Sequence, residues 1–395
     1  MGLPLAGIIF RGQGAAMPDE TRPLILDGHN DVLLKLQLAG GRGALEAFAT
    51  GRPGGDIDLP RAREAGFAGG FFAVFVLSPG GGDPEVRAAR ARALQAGPYD
   101  LPPAAPVAQP EALAQAMEQI ALLLDMQRRG WLRICTTTAD IRACMAEGVL
   151  AAILHLEGAE PIDADLNALE VLYAAGLRSL GPVWARPNAF GEGVPFRFPS
   201  DGDIGGGLTE AGRALVRRCN DLGVLVDLSH LNAAGFWDAA RISTAPLVAT
   251  HSNAHAIAPQ SRNLTDDQLR AIADTGGLVG VNFGAMFLRP DGQLDPELSL
   301  DIVLRHLDHL VNLLGEDGVA LGSDFDGARM PVPLADVTGL NGLRRAMRAH
   351  GFDQGLMRKL CHENWLRVLA ATWGEEFGAI RQRPERSTTT EEKIQ

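Results

Sequence analysis

Leu24-Ile25-Leu26-Asp27-Gly28-His29-Asn30-Asp31 is an apolar run that ends in polar residues. In a strand, successive side chains point to opposite faces, so His29 and Asp31 share one face and Asn30 takes the other. An imidazole and a carboxylate two residues apart at a strand end make half of a metal site. Seven later runs are likewise apolar and of strand length. They are Gly70–Leu77, Ala151–Gly158, Leu177–Trp184, Val224–His230, Pro246–Asn253, Gly277–Phe283 and Val319–Asp326. Continuous apolar runs of this length suit a parallel sheet buried on both faces.

Helical patterns fill the gaps. Leu113, Met117, Ile120 and Leu124 recur at helical spacing after Pro110, and Leu166, Leu169 and Leu172 recur before Gly176. Thr209 is placed to cap a helix that carries Leu215, Cys219 and Leu222, and Gly223 follows its end. Thr265 and Gln268 have capping-box spacing. Leu300–Leu314 carries Val303, Leu307 and Leu310 and stops at Gly315. Eight strands with intervening helices predict an α/β fold, a (β/α)8 TIM barrel with loop insertions at its C-terminal face. A doubly wound open sheet is the competitor, but no G-x-G-x-x-G follows the first run. Ser78–Pro110 and Gly191–Gly207 read as the insertions, placed to cover a pocket. The domain reading is an extension over 1–21, a single domain over 22–378 and a disordered polar tail over 379–395.

The formal charge of −12, spread along 395 residues, argues against nucleic acid or an anionic membrane as partner. No apolar run reaches the ~18 residues of a spanning helix. Gly2–Phe10 is short and lacks a basic flank, so a cytoplasmic location is expected. The four cysteines are scattered and form no C-x-x-C pair, and they read as free or buried thiols.

The strand ends gather polar residues. The third run ends with Glu157, the fifth with His230, and the sixth reaches His251. With His29 and Asp31 they make three imidazoles and two carboxylates at one end of one barrel. That donor set suits zinc or a similar divalent ion. Five donors exceed the needs of one tetrahedral ion with an open position and suit two ions bridged by Glu157. Asp324 and Asp326 end the eighth run.

His29-Asn-Asp31, His155-Leu-Glu-Gly158, Asp227-Leu-Ser-His230, His251-Ser-Asn253, Ser261-Arg-Asn263 and Gly322-Ser-Asp-Phe-Asp-Gly327 resemble the motifs of the renal (membrane) dipeptidase family. That family belongs to the amidohydrolase-like binuclear zinc hydrolases, and the motifs occur in its order. The resemblance implies two zinc ions, one on His29 and Asp31, the other on His230 and His251, with Glu157 bridging. It implies that a metal-bridging hydroxide attacks the amide of a dipeptide, L-Xaa-L-Xaa or L-Xaa-D-Xaa, in a homodimeric enzyme. Arg262 would hold the substrate's C-terminal carboxylate, and Asp324 would relay the proton. Asp324 is preferred to Asp326 because the eighth-strand acid of this wider class sits at the strand tip.

The chain departs from the family pattern in two places. Where many family members carry a histidine at the fourth strand end, Trp184 stands here, so Trp184 and Asn188 become the expected substrate contacts, and the oxyanion is stabilised either by the metals alone or with a contribution from Arg186 or Asn188. His255 stands where arginine is frequent, and a role at the surface or behind the ligands is expected, with substrate contact the alternative. Other polar residues read as structural: His155 as a core histidine, His306 and His309 on the outer helices, and Asp56 and Asp58 as caps or loop anchors away from the active end. Asp227 reads as an acceptor behind a ligand. The competing functions are an amidohydrolase acting on N-acyl amino acids or lactones, and a metal-stabilised barrel that binds without turnover.

Overall fold

The computed structural model describes residues 22–95, 97–376, 379 and 380. All eight predicted runs form strands: β1 Ile25–Asn30, β2 Phe67–Phe75, β3 Leu150–Glu157, β4 Leu177–Gly181, β5 Leu225–Val226, β6 Val248–Ala249, β7 Leu278–Val281 and β8 Val319–Leu321. β1 to β5 pair in sequence order and parallel, and β6, β7 and β8 form a second parallel sheet. Single parallel bridges join the edges of the two: Asp227 with Val248, and Asn30 with Phe325. The result is a curled parallel sheet with helices packed against it.

The alternation along each strand sorts its side chains into two apolar layers. Ile25, Phe72 and Leu154 join the large layer between sheet and helices. Leu26, Phe71, Ile153, Leu225, Val248, Leu278 and Ala320 join a smaller cluster with Trp365. Seven strands thus meet in one packed layer. Trp365, on helix Asn364–Trp373, is wholly buried there and donates Nε1–H to Leu321 O at 2.9 Å. Gly28 must be glycine for this packing, since a Cβ would lie 2.4 Å from Thr250 O and 2.5 Å from a Trp365 ring carbon.

The expected caps form. Thr209 accepts from Gly212 N, Gly223 ends that helix at φ 70°, and Thr265 with Gln268 makes a complete capping box. Leu169, Leu172, Val303, Leu307 and Leu310 are buried. Three expectations change. The buried residues of helix Gln109–Arg128 are Ala112, Ala116, Gln119, Ile120, Leu122, Leu123 and Met126, while Met117 is 40% exposed. Small alanines let this helix approach closely, and a reading of large residues passes over them. A short strand, Leu132–Ile134, was also not anticipated. It pairs with the first three residues of β3 before β4 takes that side from Leu154 onward. Asp58 does cap Leu59–Ala65, but Asp56 is not remote from the active end. Its backbone N–H donates to Asp326 at 3.0 Å, and it accepts from Asp326 N at 2.7 Å. The loop before β2 folds back across the sheet, which strand order alone does not reveal.

The four cysteines are free and buried. Among the described residues, no helix is long and apolar enough to cross a membrane. The predicted extension and most of the predicted tail lie outside the described residues.

Candidate metal and catalytic site

The strand ends bring the predicted ligands together. His29 is in β1, Asp31 follows it directly, and Glu157 is the last residue of β3. His230, His251 and Asp324 stand two to four residues beyond β5, β6 and β8. His29 Nε2 lies 3.6 Å from Asp31 Oδ2 and 3.4 Å from Glu157 Oε2. The other Glu157 oxygen lies 3.0 Å from His230 Nε2 and 3.8 Å from His251 Nε2, and those two nitrogens are 3.1 Å apart. Glu157 therefore faces His29 with one oxygen and the histidine pair with the other. Donor atoms of His29, Glu157 and His251 lie within 4.8 Å of one another, as do those of His29, Asp31 and Asp324.

Both ring nitrogens of His29 are buried without a hydrogen-bond partner. Two facing imidazole nitrogens and an orphaned third imidazole, set among carboxylates, fit a bound cation. Burial holds His230 and His251 well below the usual histidine range, which keeps them neutral as ligands must be. Burial would also lower His29, but the Glu157 and Asp31 carboxylates outweigh it and raise it well above that range. The cluster thus draws positive charge to its centre. Burial also raises Glu157.

The predicted ligands are oriented from behind. Asp227 accepts from Thr250 N at 2.8 Å and from Thr250 Oγ1 at 2.6 Å, and that hydroxyl lies 2.8 Å from His251 Nδ1. Asp227 is the acceptor that its position predicted, acting through Thr250. Arg262 donates Nε–H to His230 Nδ1 at 3.1 Å, Nη1–H to Ser252 Oγ and Nη2–H to His251 O, both at 2.8 Å. Burial lowers its guanidinium to about 10, and no carboxylate lies within ion-pair distance among the described residues. His155 is fully buried, with Nδ1 2.9 Å from Ser179 Oγ and Nε2 3.7 Å from Asp227.

Asp324 and Asp326 separate cleanly. Asp326 is ion-paired with Arg52 and bonded to the Asp56 backbone. Asp324 accepts from Asn282 Nδ2 at 2.8 Å and faces His29 and Asp31. Burial pushes Asp324 up to about 7, His29 lowers it, and Asp31 and Glu157 raise it further. Of the four non-glycine residues at positive φ among the described residues, three are His230, Asp324 and Asp326, at 69°, 63° and 68°. Such backbone costs on the order of 1–3 kcal/mol and gathers at functional sites.

A cavity of about 350 Å³ opens onto the cluster. Asp31, Glu157, Trp184, His230 and Asp324 are in its wall, while His29, His251 and Arg262 lie one layer deeper. Both predicted insertions reach it, one through Arg90 and Leu94, the other through Phe196. Trp184 packs edge-on to Phe75 at 4.9 Å and lies 5.9 Å from the His230 ring. Neither expected oxyanion donor faces this space. Arg186 is wholly buried, bonded to Glu160 at 2.7 Å, Ser78 Oγ at 2.9 Å and Val76 O at 2.8 Å. Asn188 donates to Pro182 O and accepts from Phe190 N, so both ends of its amide hold its own loop. His255 contacts Ser200 O, away from the wall. Sequence reasoning passed over Asn282, although it follows β7 as the predicted ligands follow their strands. It also passed over Arg52 and Arg90, whose loops give no local sign of where they land.

A family model described as membrane dipeptidase (peptidase family M19) matches residues 20–376. A crystal structure of a metallo peptidase from Rhodobacter sphaeroides, liganded with a phosphinate mimic of the dipeptide L-Ala-D-Ala, is 52% identical with a TM-score of 0.87. The match covers 89% of this chain and 100% of that one. A probable dipeptidase from Pseudomonas aeruginosa, 22% identical at a TM-score of 0.72 over 90% of this chain and 96% of the other, shares the fold. A Klebsiella pneumoniae protein described as an uncharacterised protein in the pqqA 5′ region is 51% identical over 258 residues, 65% of this chain and 95% of that protein.

Proposed function

The chain belongs to the membrane dipeptidase family, peptidase family M19, and is a peptide-bond hydrolase; on that premise we propose that it cleaves dipeptides with two zinc ions held by His29, Asp31, Glu157, His230 and His251. The observation that carries the reading is Glu157, with one oxygen toward His29 and the other toward the His230–His251 pair. Bound there, the ions would supply Lewis acidity at the scissile carbonyl and acidify a water.

The remaining roles fall to this chain's own residues. Asp324, raised to about 7, can take a proton and return it to the leaving amine near neutral pH. Asn282 fixes one of its oxygens at 2.8 Å and so orients the carboxyl toward the cluster. We assign Arg262 to the substrate's C-terminal carboxylate, because it is a buried guanidinium with neutral partners only. Trp184 and Phe75 supply an apolar wall that shields the scissile bond from bulk water. The dipeptide mimic bound by the Rhodobacter relative supports an L-Xaa-D-Xaa substrate for this chain as well. We also propose that the two edge bridges close the sheets into one (β/α)8 barrel, a reading supported by the apolar layer shared by seven strands.

The test is metal analysis of the purified protein together with an assay of L-Xaa-D-Xaa and L-Xaa-L-Xaa dipeptides against N-acetyl amino acids and lactones. Two zinc ions per chain and dipeptide turnover are expected. Turnover of N-acetyl amino acids or lactones alone would assign the site to another amidohydrolase. A metal-loaded protein that turns over none of them would leave a binding barrel.

A further inference from the structure

The cavity wall holds a second chemical feature, apart from the metal ligands. Helix Pro84–Gln95, inside the first insertion, brings Arg90 over the cavity. Its guanidinium carbon stands 4.5 Å from the Phe196 ring centroid and 5.6 Å from that of Trp184. Two aromatic faces thus fix the guanidinium. No carboxylate or carbonyl among the described residues pairs with it, although it is half-buried and burial lowers its proton affinity. Arg87, one turn earlier, Lys35, on the helix after β1, and Arg329, beyond β8, also reach the wall, and none of them has an ion pair among the described residues. The acids of the wall are all engaged: Asp31, Glu157 and Asp324 in the cluster, Asp326 with Arg52. The four cations of the wall therefore have no carboxylate paired with them among the described residues. One α-carboxylate, already matched to Arg262, does not account for them.

We propose that Arg90 is a specificity-determining residue that binds a second carboxylate of the substrate, so that the preferred dipeptides carry an aspartate or glutamate side chain. The planar fork of a guanidinium takes a carboxylate through two parallel hydrogen bonds. Trp184, 5.9 Å from the His230 ring, spaces that contact one aromatic ring away from the reacting centre. This inference rests on the dipeptidase reading.

The test compares isosteres within one preparation: L-Ala-D-Glu against L-Ala-D-Gln, and L-Glu-D-Ala against L-Gln-D-Ala, with L-Ala-D-Ala as reference. The native enzyme should favour the acid in one of the two pairs by about tenfold or more in kcat/KM, the scale of one charge-assisted pair. In Arg90→Met that ratio should fall to about one through a raised KM for the acid, and Arg90→Lys should restore part of it. The ratio is internal to each preparation, so a partly folded variant does not bias it. A native ratio near one in both pairs overturns the proposal, and so does an unchanged ratio in Arg90→Met. Absence of turnover of all five dipeptides by the zinc-loaded enzyme would overturn the dipeptidase reading, and this proposal with it. Turnover without discrimination overturns this proposal alone.

Discussion

Replacing Asp324 by asparagine removes its proton chemistry while disturbing little else. The residue sits at φ 63°, a left-handed conformation that asparagine tolerates better than most side chains. An asparagine oxygen can still accept from Asn282 Nδ2, now 2.8 Å from Asp324 Oδ2. The backbone bond from Asp324 N to His29 O, 3.0 Å, is unaffected. The loss is a group that burial holds at about 7, where it can both take and give a proton. A positioned acid–base group contributes about 10²–10⁴ in rate. At about 1.36 kcal/mol per decade, that is roughly 3–5 kcal/mol of barrier. The decrease should appear in kcat, with KM little changed. Burial, with Asp31 and Glu157, disfavours the Asp324 charge by more than His29 favours it, so the metal-free variant should melt no lower than the native chain. The assay is kcat and KM for L-Ala-D-Ala, with metal content and a thermal melt on the same preparation. A loss smaller than tenfold at full metal content would refute the reasoning. So would activity and metal disappearing together, because Asp324 would then be a ligand of the His29–Asp31 group and not a proton carrier.

Three other outcomes are expected. Glu157→Gln should bind fewer than two metal ions per chain and lose most activity, since both halves of the cluster face that carboxylate; unchanged metal content would contradict the bridging role. Arg186→Met leaves Glu160 charged and unpaired in a site with no solvent exposure, and should cost about 3–5 kcal/mol in denaturant unfolding; a matched Arg186→Met/Glu160→Gln variant should recover part of that. His306 accepts from Ala254 N at Nδ1 and bonds Leu288 O through Nε2, and burial lowers it to about 4. The unfolded chain takes up that proton below about 6.5 and the folded chain only below about 4, so stability is full above 6.5 and declines as pH falls between the two values. The loss is about 3 kcal/mol, and His306→Gln should flatten that part of the urea-midpoint profile against pH.

The order of the strands and the identity of the cluster were legible in the sequence because both depend on short-range signals. An apolar run of strand length reports its own burial, and the polar residue after it reports which end faces the chemistry. His29, Asp31, Glu157, His230, His251 and Asp324 all obey that rule, and Asn282 obeys it too. Caps such as Thr209 and Thr265 are equally local, because each partner lies three residues away.

What only the tertiary structure decided involves loops and long side chains, whose destinations depend on contacts far apart in the chain. Asp324 and Asp326 are indistinguishable by spacing, and they part because Arg52, 274 residues from Asp326, takes one of them. Arg186 and Asn188 follow Trp184 closely, yet a turn aims both away from the cavity and leaves only the tryptophan in its wall. Arg90 lies in the first insertion, where no local signal marks its destination, and only the packing of its helix on Trp184 and Phe196 brings a cation there. Backbone periodicity fixed where the strand tips meet. Which side chains line the space above them followed from how the insertions fold back, a choice made by non-local packing that no window of sequence encodes.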